Sequence, residues 1–303
     1  MLTLRNGRFV FCFACLLTVI CQSVGCRLPG GDGPVSQSVF TCRQLLQQGL
    51  SAIDAGQWGR AEKLLLDAVH TCPEDPDARR HYAEALWHRG AQREALKQMY
   101  EVAQFAEGDA SAHVRIAEME LEMGRVSIAR RHAELAVDLD PKASESWTVR
   151  GRINWAEGRS REALADFHRA LGYNPTDRDV MFAIAELHRR LNEPQKALIA
   201  LQSLADSYSP GEEPQMVAYL QGLALKAVGR HDDAIQRFSE AVDAGRGTAD
   251  MLFHLAEAEM LSGRLIRAAE TLQRVIDLDP DHGPSKELAG RLRLASRKRA
   301  GLK

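Results

Sequence analysis

Cysteine and histidine are the residues of this chain best suited to redox, nucleophilic or metal chemistry, and their spacing limits what they can do. Cys12-Phe-Ala-Cys15 has the spacing of a redox dithiol, in which one thiolate attacks and the other resolves. It falls inside the uncharged apolar run from Phe9 to Val24, where cysteine is one more apolar side chain. The ten histidines show no metal-ligand spacing. His81 and His88, two helical turns apart, could share a ligand, but packing against a neighbouring helix accounts for each without one. GxSxG, HExxH, GxxxxGK(S/T) and the dinucleotide glycine fingerprint are absent from the sequence. The chain is therefore expected to hold no metal and no cofactor, and not to be an enzyme.

The apolar run comes after Arg5 and Arg8 and ends at Gly25-Cys26-Arg27. A basic start, an apolar centre too short for a comfortable membrane span and small residues at the end have the layout of a secretory signal over residues 1–25. Val24-Gly25-Cys26 resembles the end of a bacterial lipobox, in which cleavage leaves the cysteine as the lipid-bearing first residue. Ser23 stands where that pattern has Leu, and Gln22 where it is mostly apolar. The resemblance implies lipidation at Cys26 and attachment to a membrane of the bacterial cell envelope, facing the periplasm. Cleavage without lipid and an uncleaved anchor are the alternatives. Arg27 to Ser38, with Pro29-Gly-Gly-Asp-Gly-Pro34, has no apolar period. Residues 26–41 are thus expected to form a flexible tether, which would hold the folded part of the chain about 20 Å from the membrane surface.

The remainder must position any binding residues. Lys and Arg number 39 against 41 Asp and Glu, so no global basic field draws the chain onto nucleic acid, which is not an expected partner. Glycines recur at Gly56, Gly90, Gly124 and Gly158, each 34 residues after the last; the next step lands on Asn192, and after three inserted residues the register resumes at Gly229 and Gly263. Five residues beyond each marker stands alanine: Ala61, Ala95, Ala129, Ala163, Ala197, Ala234 and Ala268. Seven residues before each stands another small residue: Gly49, Ala83, Ala117, Gly151, Ala185, Gly222 and Ala256. Apolar residues between the markers keep helical spacing, as in Ala163, Phe167 and Ala170, with Gly or Asn where a helix must stop. Each unit therefore reads as two helices whose backbones approach closely at the small pair, with Leu65, Phe167, Leu201, Phe238 and Leu272 filling the space beside them.

These positions resemble the tetratricopeptide repeat, whose 34-residue unit has small residues at its eighth and twentieth positions, Gly at the fifteenth and Pro at the thirty-second. Pro73, Pro141, Pro175 and Pro280 match the last of these, while Glu107, Ser209 and Arg246 replace it, implying three looser turns. The resemblance implies an all-α fold: a right-handed α-α superhelix, a solenoid of seven helical hairpins over residues 42–282. The repeats would begin at Cys42, Pro76, Ala110, Ser144, Arg178, Gln215 and Ala249. Residues 283–303 would add a capping helix, beginning at Ser285, and a basic tail; the inserted segment Asp206–Pro214 reads as a longer loop, with a bend in the array as the alternative.

In that family the first helix of each unit lines the concave side, with its second, fifth, ninth and twelfth positions facing inward. The register assigns to a partner-binding groove Arg80, Glu84, Trp87, Glu118, Arg152, Trp155, Phe182, Glu186, Arg189, Tyr219, Lys226, Phe253 and Glu257, with Thr148 on the same stripe. Aromatics interleaved with arginine are side chains that anchor protein interfaces, although packing against a neighbouring hairpin explains any one aromatic equally well. Glutamate occupies the ninth position where chaperone-binding relatives carry Asn, so a peptide-carboxylate clamp is not expected; the acids would suit a segment with basic and apolar side chains. The function implied is a membrane-attached protein-interaction scaffold. A glycan-binding envelope module using Trp87 and Trp155 as stacking platforms, and an enzyme with an unfamiliar groove site, are the alternatives. Cys42 opens the first hairpin and Cys72 comes just after its second helix, so the two should meet at one end; a disulfide there would contribute about 3 to 4 kcal/mol, and two unpaired turn residues are the competing reading.

Overall fold

A computed structural model describes residues 37–245, 247–299 and 301, and the described residues contain fifteen helices and no strand. They form two compact units that divide between Ala91 and Gln92. The first holds α1 (Gln37–Asp54), α2 (Trp58–Thr71) and α3 (Pro76–His88). The second begins with α4 (Gln92–Phe105), α5 (Ala110–Glu122), α6 (Val126–Leu139), α7 (Ser144–Ala156), α8 (Ser160–Tyr173) and α9 (Arg178–Arg190). It continues with α10 (Pro194–Asp206), α11 (Gln215–Ala227), α12 (His231–Asp243), α13 (Ala249–Leu261), α14 (Leu265–Leu278) and α15 (Gly283–Arg299). Within this unit α5–α6, α7–α8, α9–α10, α11–α12 and α13–α14 are antiparallel hairpins, and each packs on the next.

The marker residues make the turns. Gly124 N–H donates to the Leu121 carbonyl and Arg125 N–H to that of Glu120, the paired bonds of a Schellman motif that satisfy carbonyls at the helix end. The same pair recurs at Gly158 and Arg159, at Gly229 and Arg230, and at Asn192 and Glu193. The motif needs a left-handed residue, and Asn192, at φ 57°, is the non-glycine that supplies it. First helices start differently. Asp75, Asp109 and Asp177 each accept two backbone N–H bonds from the first turn, and Thr248 accepts one, replacing partners those donors lack inside the helix.

The alanines five residues past the markers are fully buried. Opposite them, a Cβ placed on Gly151 would lie 2.7 Å from Phe167 Cε1, and one on Gly222 would lie 2.6 Å from Phe238. The missing side chain is thus what lets a phenylalanine sit between two helices. Cores run from one hairpin into the next: Val137, Trp147, Phe167, Val180 and Leu187 form one cluster across α6 to α9.

Two expected boundaries move. The tether was expected to reach residue 41, but α1 begins at Gln37: no proline or glycine comes between Pro34 and this helix, and Cys42 at 1% exposure anchors this turn against Ala68, Val69 and Ala78. At the other end α15 starts at Gly283 rather than Ser285, because Pro284 is tolerated in a first helical turn. The inserted segment does not interrupt stacking. Leu201 and Leu204 of α10 share a core with Val217, Leu220 and Ala224 of α11. Arg178 donates to the Ser207 carbonyl and lies over the Tyr208 ring, and Arg237 pairs with Glu213, so the longer loop is tied at both ends. The expected signal, Cys26 and residues 27–36 lie outside the described residues, as do Arg246, Ala300, Leu302 and Lys303. Among the described residues no helix is long and apolar enough to cross a membrane.

Candidate functional site

The first helices of the second unit, α5, α7, α9, α11 and α13, together with α15, carry a row of linked side chains. Glu118 on α5 pairs with Arg115 at 3.2 Å and reaches Arg152 of α7 at 3.7 Å. On α7, Trp155 meets Phe167 edge-on with ring centroids 6.4 Å apart, and the Arg190 guanidinium of α9 lies over its ring at 5.2 Å. Glu186 on α9 accepts from Arg189 Nε at 2.8 Å and Nη2 at 2.7 Å, and from Arg190 at 3.1 Å. The Arg189 bonds outweigh burial and, with Arg190, hold the Glu186 carboxyl below its usual range. Lys226 on α11 pairs with Glu257 and stands 2.9 Å from His254 Nδ1, while Glu257 also lies 3.6 Å from Arg291 of α15. Burial would raise the Glu257 pKa, but these cations, Lys226 foremost, bring it below its ordinary value.

The expected groove residues divide by exposure. Phe182, at 36%, together with Arg152 and Arg189, faces outward, as does Met216 at 47%, on the second position of its repeat. Tyr219 is half-buried against Phe238 and His254, and Phe253 against His254 and His282; both belong to the packing between hairpins. Thr148 is buried and bonds the Ser144 carbonyl. Trp155, with Phe167 at its edge and Arg190 over its ring, lacks the open access that stacking on a sugar needs. In the first unit, Arg80, Glu84 and Trp87 lie half-buried on α3. Cys42 and Cys72 do meet in that unit, in one apolar cluster, as free thiols that donate to the Ala68 and Ser38 carbonyls; burial first, then the nearby Cys72, pushes the Cys42 thiol up to about 12.

Sequence reasoning missed a second row, at the eleventh repeat position, where polar residues are buried: Glu120, Asn154, His188 and Glu259. Each has partners. Tyr100 donates to Glu120 at 2.9 Å, and Arg125 pairs with its other oxygen at 2.8 Å. Asn154 donates to Asp166, which also takes two bonds from Arg150, and accepts from Arg130 of the preceding hairpin. His188 bonds Glu193, and Glu259 accepts from Thr271. The signal was available in the sequence, as a polar residue three positions beyond the small one on an otherwise apolar helix face. Nearby, His113 and His132 are hydrogen-bonded through Nδ1 atoms 3.0 Å apart. On the second-helix side a cleft of about 310 Å³ lies among Leu171, Met181, Ile184, Ile199 and Ala200, with His168 and Lys196 at its edge. No group of three or more His, Cys, Asp or Glu among the described residues could hold a metal ion.

Similarity to known proteins agrees with this geometry. Tetratricopeptide repeat protein 33 of Homo sapiens is 26% identical over 163 residues, 52% of this chain and 60% of that protein. The chain thus spans less than two thirds of that relative's length. Among solved structures, YrrB, described as a TPR protein with an unusual peptide-binding site, superposes with a TM-score of 0.58 at 20% identity, covering 63% of this chain and 97% of YrrB. PilF of Pseudomonas aeruginosa superposes at 0.62 with 16% identity, covering 74% and 98%. At these identities the likeness is one of fold. The sequence model of the tetratricopeptide repeat matches residues 46–112, 149–212 and 219–282, more than half of the chain, and with the hairpins, turns and small-residue pairs of the fold it places the protein in the tetratricopeptide repeat family.

Proposed function

We propose that this protein is a scaffold that holds a segment of a partner protein on the first-helix face of its second unit, and that it works attached to an envelope membrane. Tetratricopeptide proteins are generally interaction scaffolds rather than enzymes, and YrrB is described as binding peptides. The observation that carries the reading is that Arg152, Phe182, Arg189 and Met216, on the first helices of three successive hairpins, all face outward, so that guanidinium groups and apolar side chains are exposed on the same row of helices. Export and attachment rest on the residues from Arg5 to Cys26, with their basic start, apolar centre and lipobox-like end.

Cross-linking in detergent-solubilised membranes and subsequent pull-down test the scaffold. A stoichiometric partner should be retained by the natural protein and lost from Arg152→Ala/Phe182→Ala, with helicity and thermal midpoint nearly unchanged. Retention by the double variant would remove this face as the binding site. Mass measurement of the mature N-terminus tests attachment: a diacylated or triacylated Cys26 is expected, and an unmodified terminus would refute it.

A further inference from the structure

We propose that α15 is the first half of a further hairpin, and that its open side receives an acidic amphipathic helix of a partner protein. α15 keeps the repeat register. Gly290 comes 34 residues after Ala256, the small residue at the eighth position of the preceding repeat. Ser285 and Leu292, at the third and tenth positions, are buried, as Met251 and Ala258 are in α13, and Leu288 joins the core of the last hairpin. Among the described residues α15 packs on α13 and α14. The eighth and eleventh positions differ. In α5, α7, α9, α11 and α13 both are buried in the hairpin, whereas Gly290 and Arg293 are exposed. The side of α15 that corresponds to the covered side of the other first helices is therefore open. This surface is distinct from the first-helix row proposed above, and neither reading depends on the other.

The glycine defines what fits. A Cβ on Gly49, Gly151 or Gly222 would fall 2.6 to 2.7 Å from the Leu65, Phe167 or Phe238 side chain that fills its notch, and one on Gly290 would meet nothing within 4 Å. A large apolar side chain of a docked helix has the same notch to fill, with small residues on either side of it, as Ala163 and Ala170 flank Phe167. Lys286, Gly290, Arg293 and Arg297 follow helical i, i+4, i+7 spacing along this side, and Leu294 beside them is 67% exposed. Lys286 pairs with Asp281 at 3.4 Å and Arg291 with Glu257 at 3.6 Å, while Arg293, Arg297 and Lys298 make no ion pair among the described residues. Glu287 is the acid of α15 itself, more than a turn before Arg293. With Glu287, Asp281 and Glu257 all set against Lys286, Arg291, Arg293, Arg297 and Lys298, the helix remains positive. Carboxylates on the incoming helix meet that charge. A second copy of α15 would bring like charges together, and a bilayer or a nucleic acid would leave the notch at Gly290 without use.

The test uses the full chain and synthetic peptides as long as one of its second helices. The first carries the Ala163, Phe167, Ala170 spacing of α8 with Glu at the flanking positions; the second has Lys in place of each Glu, and the third has Ala in place of the Phe. Isothermal titration calorimetry should show the Glu peptide bound, less tightly in added salt, and both other peptides weaker by about tenfold or more. Gly290→Leu fills the notch at a position where the free helix accepts any side chain, so it should weaken the Glu peptide by about tenfold while the thermal midpoint stays level or rises. Arg293→Glu/Arg297→Glu should transfer the preference to the Lys peptide, a gain that misfolding cannot produce. Binding of none of the peptides, tighter binding of the Lys peptide to the natural protein, or unchanged affinity in Gly290→Leu would overturn the proposal. So would preference for anionic vesicles or single-stranded oligonucleotide over the Glu peptide, or a dimer of the natural protein that Gly290→Leu dissociates.

Discussion

His132 lies against Tyr100 and is hydrogen-bonded to His113 inside the second unit. Burial, then the His113 and Arg131 charges, lowers its pKa from the ordinary 6.5 to about 4. The unfolded chain therefore takes up a proton below about pH 6.5 that the folded chain refuses until about pH 4, and stability falls as the pH drops through that window. The thermal midpoint should decline between pH 7 and pH 5, and His132→Gln should flatten the decline; an unchanged slope would show that other groups carry it. The two thiols of the first unit make a second prediction. If the chain is exported as proposed, Cys42 and Cys72 should be joined in protein isolated without reductant, so that the non-reduced chain is two hydrogens lighter than the reduced one and does not react with alkylating agents. The electrons would pass to a disulfide donor of the oxidising compartment, and Cys72, the more exposed thiol, would be the attacking group. The meeting of these cysteines was legible in the sequence, because helix lengths alone bring residues 42 and 72 to one end of a hairpin. The histidine pair was not, since His113 and His132 sit on different helices and nothing in their spacing says which faces turn toward each other.

Helix pairs in this protein are set by how closely two backbones approach. Gly151→Ala exchanges a poor helix former for the best, a local gain of about 1 kcal/mol. Its new methyl would fall 2.7 Å from the Phe167 ring, so the expected net effect is a loss of about 1–3 kcal/mol in denaturant unfolding. Phe167→Leu in the same chain should recover part of that loss, and strict additivity of the two changes would contradict direct contact. Turns, helix starts and small-residue pairs were all readable, since each depends on residue type at a fixed offset. At the eleventh position the polar residue types were readable but their partners were not. The family pattern has tyrosine there, whereas this chain has Glu120, Asn154, His188 and Glu259, whose partners are chemically unlike: a tyrosine one helix earlier, an aspartate or a threonine one helix later, a glutamate just past the turn. The groove register was also read only in part. Of the residues it assigned, Tyr219 and Phe253 lie in contacts between hairpins, because histidines at positions 254 and 282 supply ring faces for them.

An array of hairpins has no single centre, so its end needs a cover. α15 lays Leu288 and Leu292 inward, and Leu288 closes over Ala256 and Leu272 of the last hairpin. Removing residues 283–303 should lower stability by about 4 kcal/mol from the two leucines alone. Hydrogen exchange should quicken in α13 and α14 well before it does in α5 to α8, because stability in such arrays is passed between neighbours. Uniform loss of protection across the second unit would argue for one cooperative block instead. The buried polar row bears on what may happen to such a gene. Repeats of equal length invite loss or duplication of a whole unit, and a uniform apolar array would accept any hairpin beside any other. Here Tyr100 meets Glu120, Arg130 meets Asn154, and Gln221 meets the Leu201 carbonyl, a different contact at each joint. Excising residues 144–177 would set Arg130 against His188, a buried mismatch of the kind that is disfavoured. The five hairpins of the second unit are therefore ordered by their neighbours, and their number is protected by chemistry rather than by length.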